Sequence, residues 1–445
     1  MSSEASALPR ASGPGAVDSL RVRKIATVAL LFAGYAAYYF CRANLSVAVP
    51  LLSEELQRHG FSNADALVHI GDIALWGTFA YAVGNIFLTG VGDIWGGKRS
   101  FTIGLGGAVV FTLLFVSGGG LPLFTMAWIG NRLTQSIGWG GLIKTCSRWF
   151  DYSSYGAVIG ILSLSFLVGD AIARQSMGFL IQQGFGWREV FLFGAGVAAL
   201  LLVLNLLFLR ESRAELGFSE PQVNPLNVFA GSAQKPKTFF QIVAPLFLSR
   251  AFLVVCFLSL GCTLVRESFS LWDATYLRDF FGYSAGRAAG MSAVFPVVGA
   301  VSVLLTGWIS DRLGPIGRAM VMFFSLSAVV VPLVALVSLR GGYSASFAPV
   351  VLIGLVALFL LGPYSYLAGA FALDLGGSEA GAASAGVIDG IGYLGGAIAD
   401  GGIPRLFVIF GWRGVFAALA AITALSALAA AYLYLYQRGL EKKIS

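Results

Sequence analysis

Apolar runs of helix length recur along this chain from residue 25 to residue 436, each near the roughly 20 residues that a helix needs to cross about 30 Å of hydrocarbon. Twelve can be marked: 25–52, 70–91, 101–117, 121–143, 157–183 and 187–209, then 245–276, 287–309, 317–339, 346–373, 381–403 and 412–436. They lack the period-two alternation of membrane strands. Of the 445 residues, 57% are hydrophobic and 11% charged, against about 25% charged in soluble domains, a bias that no water-soluble core accommodates. The expected fold class is an all-α membrane protein with twelve transmembrane helices.

Cytoplasmic segments of membrane proteins retain Lys and Arg. Placing both termini inside puts Arg21, Arg23, Lys24, Lys98, Arg99, Lys442 and Lys443 on that side, so the net charge of +7 reads as topology. No basic stripe with interleaved aromatics lies on a soluble module, and nucleic acid is not an expected partner. The four cysteines, Cys41, Cys146, Cys256 and Cys262, all fall in apolar runs without metal-ligand spacing and read as packing residues. Residues 1–20, rich in Ser, Ala, Gly and Pro, read as a disordered cytoplasmic tail, and the following run is too long for a cleaved signal.

The apolar runs stop between Leu209 and Pro245, where Arg210, Glu211, Pro221 and Lys235 mark a polar connector. Landmarks recur across it: Gly186-Trp187-Arg188-Glu189-Val190-Phe191 against Gly411-Trp412-Arg413-Gly414-Val415-Phe416, Arg42 against Arg266, Gly138 against Gly362, Gly169 against Gly395. The repeat predicts two pseudo-symmetric six-helix bundles, 25–209 and 245–436, flanked by termini at 1–24 and 437–445 and joined by 210–244. A shared site is expected near mid-membrane between them.

Arg42 and Arg266 constrain function most. An arginine at mid-membrane costs roughly 2.5–3.5 kcal/mol on insertion scales, so each needs a compensating partner. Counted from Lys24 and Arg250, the two rise to nearly one depth at about 1.5 Å per residue. Neither has a carboxylate four residues away, and Glu267, next to Arg266, projects about 100° around the helix. Planar guanidinium forks suit a tetrahedral dianion. Asn131, Gln135 and Trp139 share a face at four-residue spacing, and Tyr38 lies four before Arg42, so these and Tyr393 are candidates to shape the site. Asp170 and Arg174 have the spacing of a helix ion pair.

Two loops, Asp93-Ile94-Trp95-Gly96-Gly97-Lys98-Arg99 and Gly307-Trp308-Ile309-Ser310-Asp311-Arg312-Leu313-Gly314 with Arg318 beyond, resemble the loop motif of the major facilitator superfamily. There the resemblance implies a gating latch of Asp93, Lys98, Arg99, Asp311, Arg312 and Arg318. The run Gly34-Tyr35-Ala36-Ala37-Tyr38-Tyr39-Phe40-Cys41-Arg42 resembles the first helix of the organophosphate:phosphate antiporters, as do Asn131 to Trp139, Arg266 to Leu277 and Gly392 to Gly396. That likeness implies that Arg42 and Arg266 grip phosphate and that inorganic phosphate is exchanged for a glycerol or sugar phosphate. Asn85 and Phe166 stand where that family often has a lysine and a histidine, and Arg132 where it has a small residue.

A proton-coupled organic-anion symporter titrating Asp170, Asp273 or Asp389, and a sugar-phosphate sensor without net transport, fit the same residues. An enzyme is not expected, since the chain has only two histidines and no nucleophile triad. The expected partners are a small anionic substrate and membrane lipid, without metal or cofactor, for a monomer in a plasma membrane of bacterial inner-membrane type.

Overall fold

The computed structural model describes residues 14–88, 95–221, 246–342 and 346–444, and its regular structure is helical throughout. The first bundle holds α1 Pro14–Arg58, α2 Asn63–Leu88, α3 Gly97–Ser117, α4 Leu121–Trp149, α5 Tyr152–Ser163, α6 Ser165–Gln182 and α7 Trp187–Phe208. The second holds α8 Arg250–Phe281, α9 Ala285–Ser292, α10 Val294–Ser338, α11 Ala348–Tyr364 and α12 Ala372–Ile444. Ten helical stretches among the described residues are long and apolar enough to cross a membrane. One of them, Ser384–Gly439, has 56 residues and would reach about 84 Å if straight. It breaks at Gly411, whose φ of +65° is left-handed and open to glycine, and so supplies two spans. The twelfth is α4, which has the length but carries Asn131, Arg132 and Gln135 through its middle.

The helices outlast the apolar runs. Residues 14–24, expected in a disordered tail, instead continue α1, because hydropathy marks only the part of a helix immersed in lipid. The fifth span is two helices with a break at Leu164, and a π-helical turn, Leu367–Phe371, follows Pro363 in the tenth, where the proline lacks the N–H that an α-turn needs.

The halves are built alike. Trp187 packs among Phe115, Phe124 and Phe191, and its repeat counterpart Trp412 among Tyr276, Phe407 and Phe416. All four cysteines are buried and free. An even number of spans puts both chain ends on one face, here the terminal face, opposite a distal face. At the terminal face of the first bundle the Glu211 carboxylate accepts hydrogen bonds from the backbone N–H of Gly97 (2.6 Å) and Lys98 (2.8 Å), a negative charge at the positive end of α3. Asp151 takes Arg213 at 3.1 Å and Lys24 at 3.5 Å, which ties α1 and the start of the connector to the same corner.

Candidate functional site

Arg42 reaches from α1 into a cavity between the bundles, which Arg266 enters from α8. Neutral groups hold Arg42: its Nε donates to Gln135 Oε1 (3.2 Å), its Nη1 to the Tyr39 hydroxyl (3.0 Å), and its guanidinium lies over the rings of Tyr39 (4.8 Å) and Tyr81 (4.5 Å). Gln135 is oriented in turn, since its Nε2 donates to Asn131 Oδ1 (2.5 Å) and Asn131 Nδ2 donates to the Ala108 carbonyl (3.0 Å) and Thr112 Oγ1 (2.9 Å). The polar face predicted on α4 therefore links Arg42 to the backbone of α3. Among the described residues no carboxylate lies within ion-pairing distance of Arg42.

Arg266 lies over Tyr364 (4.8 Å) and Tyr393 (5.2 Å). Tyr393 in turn meets Tyr81 of the first bundle in an edge contact, with ring centroids 4.6 Å apart. The two arginines thus flank a tyrosine pair that straddles the boundary between the bundles. The expectation that Glu267 points away from Arg266 is corrected here: Arg266 Nη2 donates to the Glu267 carboxylate, and the two form a buried ion pair. Helical spacing fixes where adjacent side chains leave the backbone, but not where two long, multiply rotatable side chains end. The arginine pair is asymmetric, with one guanidinium that has no acid beside it among the described residues and one that does.

Tyr38 belongs elsewhere. Its hydroxyl donates to the Phe101 carbonyl at 2.5 Å inside the first bundle's core, and its neighbour Tyr39 is the one that touches Arg42. Trp139 packs on Tyr35 at 5.1 Å, away from the cavity lining. Asn85 Nδ2 donates to Asp389 Oδ2 at 3.0 Å, a contact between α2 and α12 that crosses the bundles. Of the loop residues, Asp93 and the side chain of Asp311 lie outside the described residues. Lys98 Nζ donates to the Leu206 carbonyl (3.0 Å), Arg99 is exposed, Arg312 stacks on Trp308 (3.7 Å), and Arg318 is half-buried.

Residues that the sequence reading named without placing them in the site complete the lining, together with Thr78. Arg132 of α4 lies over the same Tyr81 ring as Arg42, at 4.9 Å, and Thr78 and Asp400 stand beside it. Arg174 is anchored. Its Nε donates to both oxygens of Asp170 at 3.1 Å, as the four-residue spacing predicts, and its Nη1 to Asp273 Oδ1 (3.0 Å) and Ser292 Oγ (2.9 Å) in the second bundle. Lone hydroxyls and aromatics cost little in a membrane helix, so Thr78, Tyr81 and Tyr364 leave no signal in the sequence.

Among the described residues, the ion pairs that join the bundles gather toward the distal face. Arg278 near the end of α8 contacts Glu54 near the end of α1 and donates to the Pro50 carbonyl at 2.9 Å, Arg405 holds Asp72 at 2.8 Å, and Arg174 holds Asp273.

The chain is similar to known proteins over most of its length. The family model for the Major Facilitator Superfamily matches residues 31–400. A glycerol-3-phosphate transporter of Bacillus subtilis is 26% identical over 405 residues, covering 87% of this chain and 86% of that one. A sugar phosphate exchanger 3 of Bos taurus is 29% identical over 402 residues, covering 80% and 78%. Among solved structures, a bacterial homologue of the human lysosomal transporter Spinster superposes with a TM-score of 0.70 at 16% identity, over 94% of this chain and 98% of that one, a likeness of fold.

Proposed function

Because the chain belongs to the major facilitator superfamily, whose members move solutes between two bundles, we propose that it exchanges an organophosphate of the glycerol or sugar phosphate class for inorganic phosphate by alternating access. The observation that carries this reading is Arg42: a cation between the bundles, held among the described residues by an amide, a phenol and two aromatic faces. In a low-dielectric cavity such a charge calls for an anion. The relatives named for glycerol 3-phosphate and sugar phosphates supply the class.

The exchange logic follows from charge. Four arginines line the cavity, Arg42, Arg132, Arg174 and Arg266, against the three acids Asp170, Glu267 and Asp400. Arg174 is neutralised by Asp170 and Asp273 and Arg266 by Glu267. Arg132 faces Asp400 through Thr78, so drawing the halves together without a guest encloses at a cost the one lining arginine, Arg42, that has no nearby acid among the described residues. A phosphate dianion removes that cost in either direction, so the bundles rock when loaded and stay put when empty. With Lys and Arg retained inside, the termini face the cytoplasm of a plasma membrane.

The test is exchange in vesicles loaded with phosphate. Arg42→Lys and Arg266→Lys keep the charge but lose the bidentate fork, and each is expected to slow exchange of labelled phosphate at least tenfold. Undiminished exchange by both variants overturns the proposal.

A further inference from the structure

Beside the phosphate clamp the cavity holds polar atoms that the exchange scheme does not use. Arg132 and Asp400 are each only 3% exposed, and both line the cavity. Between them sits the Thr78 hydroxyl. It accepts a hydrogen bond from Arg132 Nη2 (3.2 Å) and donates one to Asp400 Oδ2 (2.7 Å), so one hydroxyl spans a guanidinium of the first bundle and a carboxylate of the second. Three more atoms of this pair, Arg132 Nε, Arg132 Nη1 and Asp400 Oδ1, are buried without a hydrogen-bond partner among the described residues. They are two donors from the first bundle and one acceptor from the second, the same kinds of atom that Thr78 already joins.

We infer that Arg132, Thr78 and Asp400 form a second subsite, which selects phosphate esters carrying hydroxyl groups by letting a ligand hydroxyl accept from Arg132 and donate to Asp400. The inference rests on the organophosphate reading and assigns the part of the substrate that reading leaves open. The placement fits one ligand reaching both subsites, since Arg42 and Arg132 lie over the same Tyr81 ring at 4.5 and 4.9 Å and Thr78 is one helical turn from Tyr81 on α2. Inorganic phosphate fills the clamp and leaves the subsite to water. A phosphate ester with a bare alkyl chain would dry the subsite without satisfying it, and sites built to bond a hydroxyl discriminate strongly against analogues that lack one. A phosphorylated carboxylate meets Arg132 well but sets its charge against Asp400. Glycerol and sugar phosphates satisfy both sides.

The experiment reads a ratio. In reconstituted vesicles exchanging labelled phosphate, half-inhibitory concentrations are measured for glycerol 3-phosphate, glucose 6-phosphate, propyl phosphate and 3-phosphoglycerate. The wild-type protein is expected to prefer one of the two hydroxyl-bearing esters over propyl phosphate and over 3-phosphoglycerate by at least tenfold, and Asp400→Asn and Arg132→Gln to bring those ratios to within about threefold of one. The same ratios are read from quenching of tryptophan fluorescence in detergent, since Trp128 lines the cavity, so a protein that binds the panel without exchanging phosphate defeats the exchange reading and not this one. A wild-type ratio near one, or full selectivity kept by both variants, overturns the subsite.

Discussion

Glu267 decides how tightly the clamp holds an empty second arginine. Its carboxylate occupies Arg266 Nη2 while Arg266 Nε has no hydrogen-bond partner among the described residues, so under the proposed function an arriving phosphate competes with a resident acid on one side only. Glu267→Gln removes that competitor, and the half-saturating phosphate concentration for exchange is expected to fall, by about tenfold if the change is worth about 1.4 kcal/mol. The folded protein is expected to lose stability in return, because a buried cation deprived of its acid is costly. Radiolabelled phosphate titration and thermal unfolding in detergent check the two halves of this prediction, and an unchanged or raised half-saturation refutes the first. The sequence announces Arg42 and Arg266 because a charge in an apolar run is conspicuous. It does not announce their setting: Tyr38 and Tyr39 both fall at helical-neighbour spacing from Arg42, four and three residues before it, and only packing puts Tyr38 on the Phe101 carbonyl and Tyr39 on the guanidinium.

Among the elements, the closest crossings repeat like the arginines do. A Cβ at Gly169 would lie 2.6 Å from the Cα of Ala36, and one at Gly395 would lie 2.3 Å from the Leu260 carbonyl oxygen. Gly169 and Gly395 occupy corresponding places in the two halves, as do Ala36 and Leu260, so each bundle presses its fifth helix onto the backbone of its first at one level. Backbone cannot yield as a side-chain tip can, and overpacking of this kind costs about 1–3 kcal/mol. Gly169→Ala and Gly395→Ala are each expected to lower the unfolding midpoint by several degrees, whereas Gly196→Ala on α7, where a Cβ meets nothing within 4 Å, leaves it unchanged or raises it. Thermal unfolding of the three purified variants tests this, and equal midpoints would sink it. Helix existence was legible from apolar length, and the break at Gly411 from the match of Gly411-Trp412-Arg413 to the Gly186-Trp187-Arg188 corner of the first half. The break at Leu164 and the π-turn after Pro363 were not, since both sit inside apolar runs with no charged residue within five positions of Leu164 or of Pro363. The helix least like a membrane span by composition, α4, carries Arg132 and Gln135, because a helix that lines a polar cavity gives up apolarity to do so.

For the molecule as a whole, the repeat sets like charges at the centre against opposite charges at one end. Arg42 and Arg266 are equivalent positions, and so are Glu54 and Arg278, the latter pair separated by 224 residues and joined. Twelve residues further along the same two helices, about 18 Å, like residues at the site give way to an opposite-charge pair at the distal face, where Arg405 and Asp72 add a second tie. The repeat was visible as a constant offset in the sequence. Which face the ties hold shut was not, because one sequence serves every state of the cycle and the partners of Glu54 and Asp72 lie hundreds of residues away. Exposed pairs of this kind contribute about 0.2–1 kcal/mol each, so Glu54→Gln combined with Asp72→Asn is expected to raise the population open at the distal face by between about twofold and about thirtyfold. Ser46 reports it. Its hydroxyl donates to the Leu271 carbonyl across the bundles at 3.0 Å, and the four native cysteines are buried, so Ser46→Cys carries the labelling signal. A membrane-impermeant maleimide applied from the distal face should modify Cys at position 46 several times faster in the doubly neutralised protein than with both ties intact. Equal rates would show that the closed distal face is held by packing and by the Arg174–Asp273 contact, with the outer ion pairs idle.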